Sequence, residues 1–209
     1  MVSVNGGTLE LANAAALASS TLAVVAGGTA QVANYLTTTV GGLNLSGTGL
    51  VDVTSGYVTV ASGLSATELV TQILAGRGNG SWTGTNGITS SVAAANVALG
   101  NSRAVGWIDA GSGNLAFAFA AAGDTNLDWQ VDVLDVANVL AAGKYNSGAP
   151  GTWSQGDFNY DGVVDVLDAA SFVTTGLYNA GSYNPPATLG TVAAVPEPSA
   201  WAILAGGLA

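Results

Sequence analysis

The chain contains no cysteine and no histidine. Thiol nucleophiles, histidine general bases, disulfides and the usual zinc ligand sets are therefore excluded. Positive charge is almost as scarce. Arg77, Arg103 and Lys144 are the only basic residues. They are too few to neutralise a phosphate backbone, which excludes nucleic-acid binding. Charged residues of both signs make up 8% of the chain, and 30 of its 209 residues are glycine. Short strands joined by Gly-rich turns fit that composition better than long helices. No charged n-region and no apolar h-region follow Met1, so no signal peptide is visible. Val2-Ser3-Val4-Asn5-Gly6 reads like the interior of a repeat. The expectation is a piece of a longer exported protein.

The charge that is present is acidic and clustered. Of 13 acids, eight fall in the windows 124–135 and 157–168: Asp124, Asp128, Asp132, Asp135, Asp157, Asp161, Asp165 and Asp168. Carboxylates packed this closely repel unless a cation sits among them. The two windows also repeat. Residues 123–148 align with 156–181 at an offset of 33, with 14 of 26 positions identical and the acids in register. That is an internal duplication.

The spacing within each unit carries the chemistry. Calcium takes six to eight oxygens, and a 12-residue loop supplies them from positions 1, 3, 5, 7 (a backbone carbonyl), 9 and 12. The first loop offers Asp124, Asn126, Asp128, the Gln130 carbonyl, Asp132 and Asp135. The second offers Asp157, Asn159, Asp161, the Val163 carbonyl, Asp165 and Asp168. Two calcium ions are expected. Position 8 is Val131 or Val164, expected to pair the loops with each other. Asp132 and Asp165 are placed to cap helices predicted over 133–142 and 166–175. Position 6, which wants glycine for the sharp turn, is Gly162 in the second loop but Trp129 in the first. The first loop is therefore expected to be the weaker.

This duplicated loop–helix unit resembles the bacterial type I dockerin, over residues 121–183. The resemblance implies no helix before each loop and Asp at position 12. It also implies a cohesin-like partner docked through loop positions 10 and 11, here Val133 and Leu134 or Val166 and Leu167. The tail carries Val195, Pro196, Glu197 and Pro198, followed by an apolar run from Ser199. It resembles a PEP-CTERM sorting signal, read by an exosortase. The apolar run of about 11 residues is short of the roughly 20 needed to cross a bilayer, and the basic cluster is absent, so the signal reads as cut short. Membrane contact is expected only through it.

Upstream, apolar-x-apolar pairs alternate with turn residues: Leu9/Leu11, Leu22/Val24, Leu43/Leu45, Val51/Val53 and Val58/Val60. Such pairs put both residues on one face of a strand. This stretch resembles the β-helical segments of autotransporter-like surface proteins. Ser65-Ala66-Thr67-Glu68 has capping-box spacing, with Leu69, Val70, Ile73 and Leu74 sharing a helix face and Gly76 as the stop. Residues 78–90 read as a loop. Residues 104–108 and 115–119 read as a strand pair joined by a turn over 109–114.

The predicted fold class is mixed: a β-rich, solenoid-like N-terminal segment plus a small α-helical dockerin-like module. The predicted organisation is 1–63 β-solenoid-like, 64–120 a connecting helix and hairpin, 121–183 the calcium-binding domain, and 184–209 linker and tail. The expected function is calcium-dependent docking in an exported, cell-surface or extracellular bacterial protein linked to polysaccharide catabolism. The alternatives are a structural adhesin, or a fragment of a glycoside hydrolase or lyase whose catalytic part lies elsewhere. Outside the loops and tail only Glu10, Asp52, Glu68 and Asp109 could supply paired carboxylates. They are far apart in sequence, so no catalysis is expected in this chain.

Overall fold

The computed structural model describes residues 1–186. Seven strands come first: β1 (Val2–Val4), β2 (Gly7–Leu11), β3 (Leu17–Val24), β4 (Gly28–Val32), β5 (Thr37–Leu45), β6 (Leu50–Asp52) and β7 (Tyr57–Val60). Helix α1 (Ala66–Arg77), β8 (Gly87–Thr89), α2 (Ser91–Ala98), β9 (Ala104–Gly111) and β10 (Asn114–Ala120) follow. The acidic repeats contribute α3 (Val133–Ala142) and α4 (Val166–Thr175).

From β1 to β8, consecutive strands alternate between two sheets. One runs β1-β3-β5-β7-β10-β9 and the other β2-β4-β6-β8. Pairing is parallel from β1 to β7 and throughout the second sheet, and antiparallel only at β10. Each early strand pairs with the one a turn of chain later: Val2 lies opposite Leu22, Gly7 opposite Gly28 and Thr37 opposite Tyr57. The alternating apolar residues thus stack between the sheets. Val24, Val32, Val40, Val53 and Val60 are essentially fully buried there. Each such side chain contributes about 1.5–3 kcal/mol relative to exposure.

The capping box forms as its spacing predicts: Ser65 Oγ accepts from Glu68 N (3.2 Å), and Glu68 Oε2 accepts from Ser65 N (2.9 Å). Leu69 and Ile73 are buried, whereas Leu74 is exposed. The helix does not stop at Gly76. It continues to Arg77 and closes on Gly78, whose N–H donates to the Leu74 carbonyl. Gly76 is glycine for another reason: a Cβ there would overlap the Ile88 carbonyl. The 78–90 segment is not all loop. Its Ile88 lies in β8, parallel to β6 with Val51 opposite. Asp52 Oδ1 then accepts from Ser91 N (2.9 Å), at the start of α2. The predicted hairpin is present, with Trp107 opposite Phe117.

The predicted fold class is corrected. The described residues form an α/β fold with two sheets of six and four strands, mostly parallel, and four helices, not a β-rich segment carrying a separate small helical module. The reason is packing. Leu127, from the first acidic loop, and Trp153, from the short 3-10 turn Trp153–Gln155, lie in the same hydrophobic cluster as the strand residues. Gly106 in β9 makes room for them: a Cβ there would sit 2.6 Å from the Trp153 ring and 2.7 Å from Leu127. A Phe–Tyr–Trp cluster completes the seat, with Trp153 edge-on to Phe158 (5.3 Å) and tilted over Tyr160 (5.5 Å). The Tyr160 hydroxyl donates to the Val105 carbonyl.

Candidate calcium loops

Each acidic window folds as a chain of side-chain-capped turns. In the first, Asn126 Oδ1 accepts from Asp128 N (2.9 Å) and Asp128 Oδ1 from Gln130 N (2.9 Å). In the second, Asn159 Oδ1 accepts from Asp161 N (2.8 Å) and Asp161 Oδ1 from Val163 N (3.0 Å). Asp and Asn favour such turns because a short side-chain oxygen reaches the amide two residues on. Between these turns the backbone is left-handed at positions 4 and 6: φ is +61° at Leu127 and +65° at Tyr160, then +65° at Trp129 and +89° at Gly162. Trp129 therefore adopts the conformation glycine would take more easily. Its indole Nε1 donates to the Phe119 carbonyl (3.0 Å) and pins it to β10.

Positions 9 and 12 do double duty at the helix starts. Asp132 caps α3 and Asp165 caps α4, each closing a reciprocal box with position 12. Asp135 Oδ2 accepts from Asp132 N, and its Oδ1 from the amide and hydroxyl of Thr125 (2.8 Å each). Asp168 Oδ2 accepts from Asp165 N, and its Oδ1 from the amides of Phe158 and Asn159. Among the described residues no group of three or more acidic side chains is placed to hold a metal ion.

Position 1 separates the loops. Asp124 is fully buried. Its Oδ2 accepts from Trp129 N (3.0 Å) and from the Tyr183 hydroxyl (2.5 Å), and its Oδ1 makes a long contact with Asp128 N (3.3 Å). Asp157 is nearly as buried. Its Oδ2 accepts from Gly162 N (3.1 Å), but its Oδ1 is buried with no hydrogen-bond partner. Burial pushes the Asp124 carboxyl up to about 7, reinforced by Asp135 and opposed by the Tyr183 hydrogen bond. Burial and the Asp168 charge push Asp157 up to about 6. Burial likewise raises Asp168. A buried, unpartnered carboxylate oxygen is costly unless a proton or a cation meets it. At the second loop, Asp157 Oδ1 is the buried oxygen that no protein donor meets, and so the one a hard divalent cation would meet.

No protein-family model, curated protein or solved structure matches this chain.

The position-8 valines, expected to pair the loops with each other, bond through their carbonyls to the far end of the opposite unit. The Val131 carbonyl accepts from Asn179 N, beyond α4, and the Val164 carbonyl from Asn146 N, beyond α3, both at 2.8 Å. Each loop is therefore closed by the end of the other unit. Their side chains are buried, Val131 near Gly123 and Phe172, Val164 near Gly156 and Val139. The expected docking residues Val133, Leu134, Val166 and Leu167 are not core: their exposure runs from 58% at Leu167 to 63% at Val166. Leu140 and Val173, equivalent positions one repeat apart, are also exposed.

Three contributions to the loops escaped the sequence reading. Trp153 Nε1 donates to the Asp124 carbonyl (2.7 Å) from between the repeats. Thr125 and Asn138 extend the network around Asp135. Tyr183 reaches Asp124 from 59 residues away. The chain also does not simply leave at Asn184, which is buried and donates through Nδ2 to the Ser55 carbonyl (2.9 Å). The sorting-motif residues Val195, Pro196, Glu197 and Pro198 lie outside the described residues. Among the described residues no helix is long and apolar enough to cross a membrane.

Proposed function

We propose that residues 121–183 bind two calcium ions and present the exposed starts of α3 and α4 to a cohesin-like partner. The setting is an exported, cell-surface or extracellular bacterial protein linked to polysaccharide catabolism, its tail addressed to an exosortase. The observation that carries the calcium reading is the buried, unpartnered Oδ1 of Asp157 at position 1 of a loop whose other donors are held in register. Asp124, Asn126, Asp128, Asp132 and Asp135 would hold the first ion with the Gln130 carbonyl. Asp157, Asn159, Asp161, Asp165 and Asp168 would hold the second with the Val163 carbonyl. A bound calcium ion supplies the positive charge that the clustered carboxylates lack. The protein's own part is to preset the loops through their turns and to cap α3 and α4, which aims Val133, Leu134, Val166 and Leu167 outward.

A second reading is a structural adhesin in which calcium only stabilises the scaffold. The core shared by Trp153, Leu127 and the strands favours it. No catalysis is assigned to the chain. Asp52 is held by Gln31, Thr54 and Ser91, Glu68 caps α1, and Asp109 accepts from Gly111 N.

Calorimetric titration with calcium tests the metal reading, which predicts two sites; no heat of binding would remove it. Calcium-dependent capture of a purified cohesin, lost on Leu134→Asp combined with Leu167→Asp, would separate docking from the adhesin. Calcium binding without capture would leave the adhesin standing.

A further inference from the structure

The two position-1 carboxylates differ in one contact that the duplication does not explain. Asp124 Oδ2 accepts from the Tyr183 hydroxyl (2.5 Å), and that hydroxyl accepts from Ala121 N (3.1 Å). The residue 33 positions before Tyr183 is Pro150, which carries no hydroxyl, so the duplication supplies no counterpart. Tyr183 is itself held on several sides. Its amide donates to the Trp129 carbonyl (3.0 Å), its ring lies edge-on to Phe119 (6.0 Å), and the Arg103 guanidinium sits 5.3 Å from the ring centroid. The next residue, Asn184, is anchored on the Ser55 carbonyl at the turn between β6 and β7.

We propose that Tyr183 is a positioning residue for calcium at the first loop, acting on Asp124 from outside the loop and tying that site to the sheets through Asn184. This rests on the calcium reading above. The Tyr183 hydroxyl and Trp129 N both donate to Oδ2, while Oδ1 accepts only the long bond from Asp128 N (3.3 Å), so Oδ1 is the less engaged oxygen and the one a cation would meet. Oδ1 is also the free oxygen at Asp157. A donor fixed on the non-ligating oxygen orients a metal ligand and tunes its strength, and losing one typically weakens metal binding 10–100-fold. Because coupling between two sites is reciprocal, an ion that favours ionised Asp124 also strengthens its hydrogen bond to Tyr183 and tightens residues 183–184 on the sheet.

The test is a calcium titration of the full chain followed by the backbone amide NMR signals of Trp129 and Gly162. Each amide donates to the position-1 carboxylate of its own loop, so each reports its own site. Tyr183→Phe is expected to weaken the first site about 10–100-fold and leave the second unchanged. Asn184→Ala, which touches no loop atom, is expected to weaken the first site by about 5-fold. Hydrogen exchange at the Tyr183 amide is expected to slow when calcium is added to the wild type. An unchanged first site in Tyr183→Phe, or equal losses at both sites, would overturn the proposal. A wild type in which neither amide responds to calcium would overturn the reading beneath it instead.

Discussion

The first and second loops share a register, a pattern of capped turns and a reciprocal helix cap, yet their surroundings are not the same. Asp124 lies fully buried under Trp153 and Tyr183, with three donors around its carboxylate. Asp157 is more sparsely held: Gly162 stands in place of Trp129, no tyrosine hydroxyl reaches it, and one oxygen has no partner. Duplication copies the residues of a loop, but not the elements that happen to pack against each copy. The first loop is therefore built into the sheet end, while the second leaves one buried carboxylate oxygen without a donor.

The largest effect is expected where the loops share a support. Trp153→Ala removes a fully buried ring between β9 and both loops, together with its hydrogen bond to the Asp124 carbonyl. It should destabilise the protein by about 3–5 kcal/mol, read by denaturant unfolding. Equal stability would mean that the loops are not seated on the sheet as described. Calcium itself comes next. At about 100 times the dissociation constant a single site adds ~2.7 kcal/mol, and melts with calcium and with chelator should differ by about 5–10 °C. Identical melts would remove the metal from the comparison altogether.

The sharper contrast is between Asp157→Asn and Asp124→Asn in chelator. Asp157 Oδ1 has nothing to lose, so its neutralisation should leave stability unchanged or raise it while abolishing the second calcium site. Asp124→Asn disturbs bonds from Tyr183 and Trp129 and should cost about 1 kcal/mol. The reverse order would show that the orphan oxygen is not what distinguishes the loops. The pH dependence has the same root. In chelator both carboxyls titrate above their unfolded range, Asp124 near 7 and Asp157 near 6. The folded state then binds more protons than the unfolded one between about pH 4 and pH 7. Stability falls as pH rises through that window and levels above it. Calcium should flatten or reverse the slope, as stability measurements across pH would show.

The smallest effect is expected at position 6. Trp129 already holds the left-handed backbone that the turn demands, with its indole fixed on Phe119. Trp129→Gly relieves strain of about 1–2 kcal/mol but loses that anchor, so first-site affinity should change little, by no more than about 5-fold on the scale of a net hydrogen bond. A large gain in affinity would restore position 6, rather than Tyr183, as the source of inequality.

Much of the loop geometry was legible because it is local. A turn closed by Asn126 or Asn159, and a box closed by Asp132 with Asp135, involve residues two or three apart, and spacing alone brings their atoms within reach. The Ser65–Glu68 cap was legible for the same reason. β8 was not, because Ile88 is a single large apolar residue among Gly, Ser and Thr, and it becomes strand only when β6, far back in the chain, offers a parallel edge. Helix α2 buries little beyond Ala93, so it shows no apolar stripe to find.

The sequence by itself determined two loops of matched oxygen donors and their caps, since these arise from neighbours along the chain; that the apolar pairs after the caps face outward came only with the fold. Only the tertiary structure decided that the repeats share one core with the sheets, that each valine carbonyl at position 8 is closed by the opposite unit, and that Tyr183 and Asn184 return to hold the first loop. Those contacts join residues tens of positions apart. They exist because stacked strands and the gap at Gly106 bring the pieces together, and no spacing rule encodes where a stack will place its end.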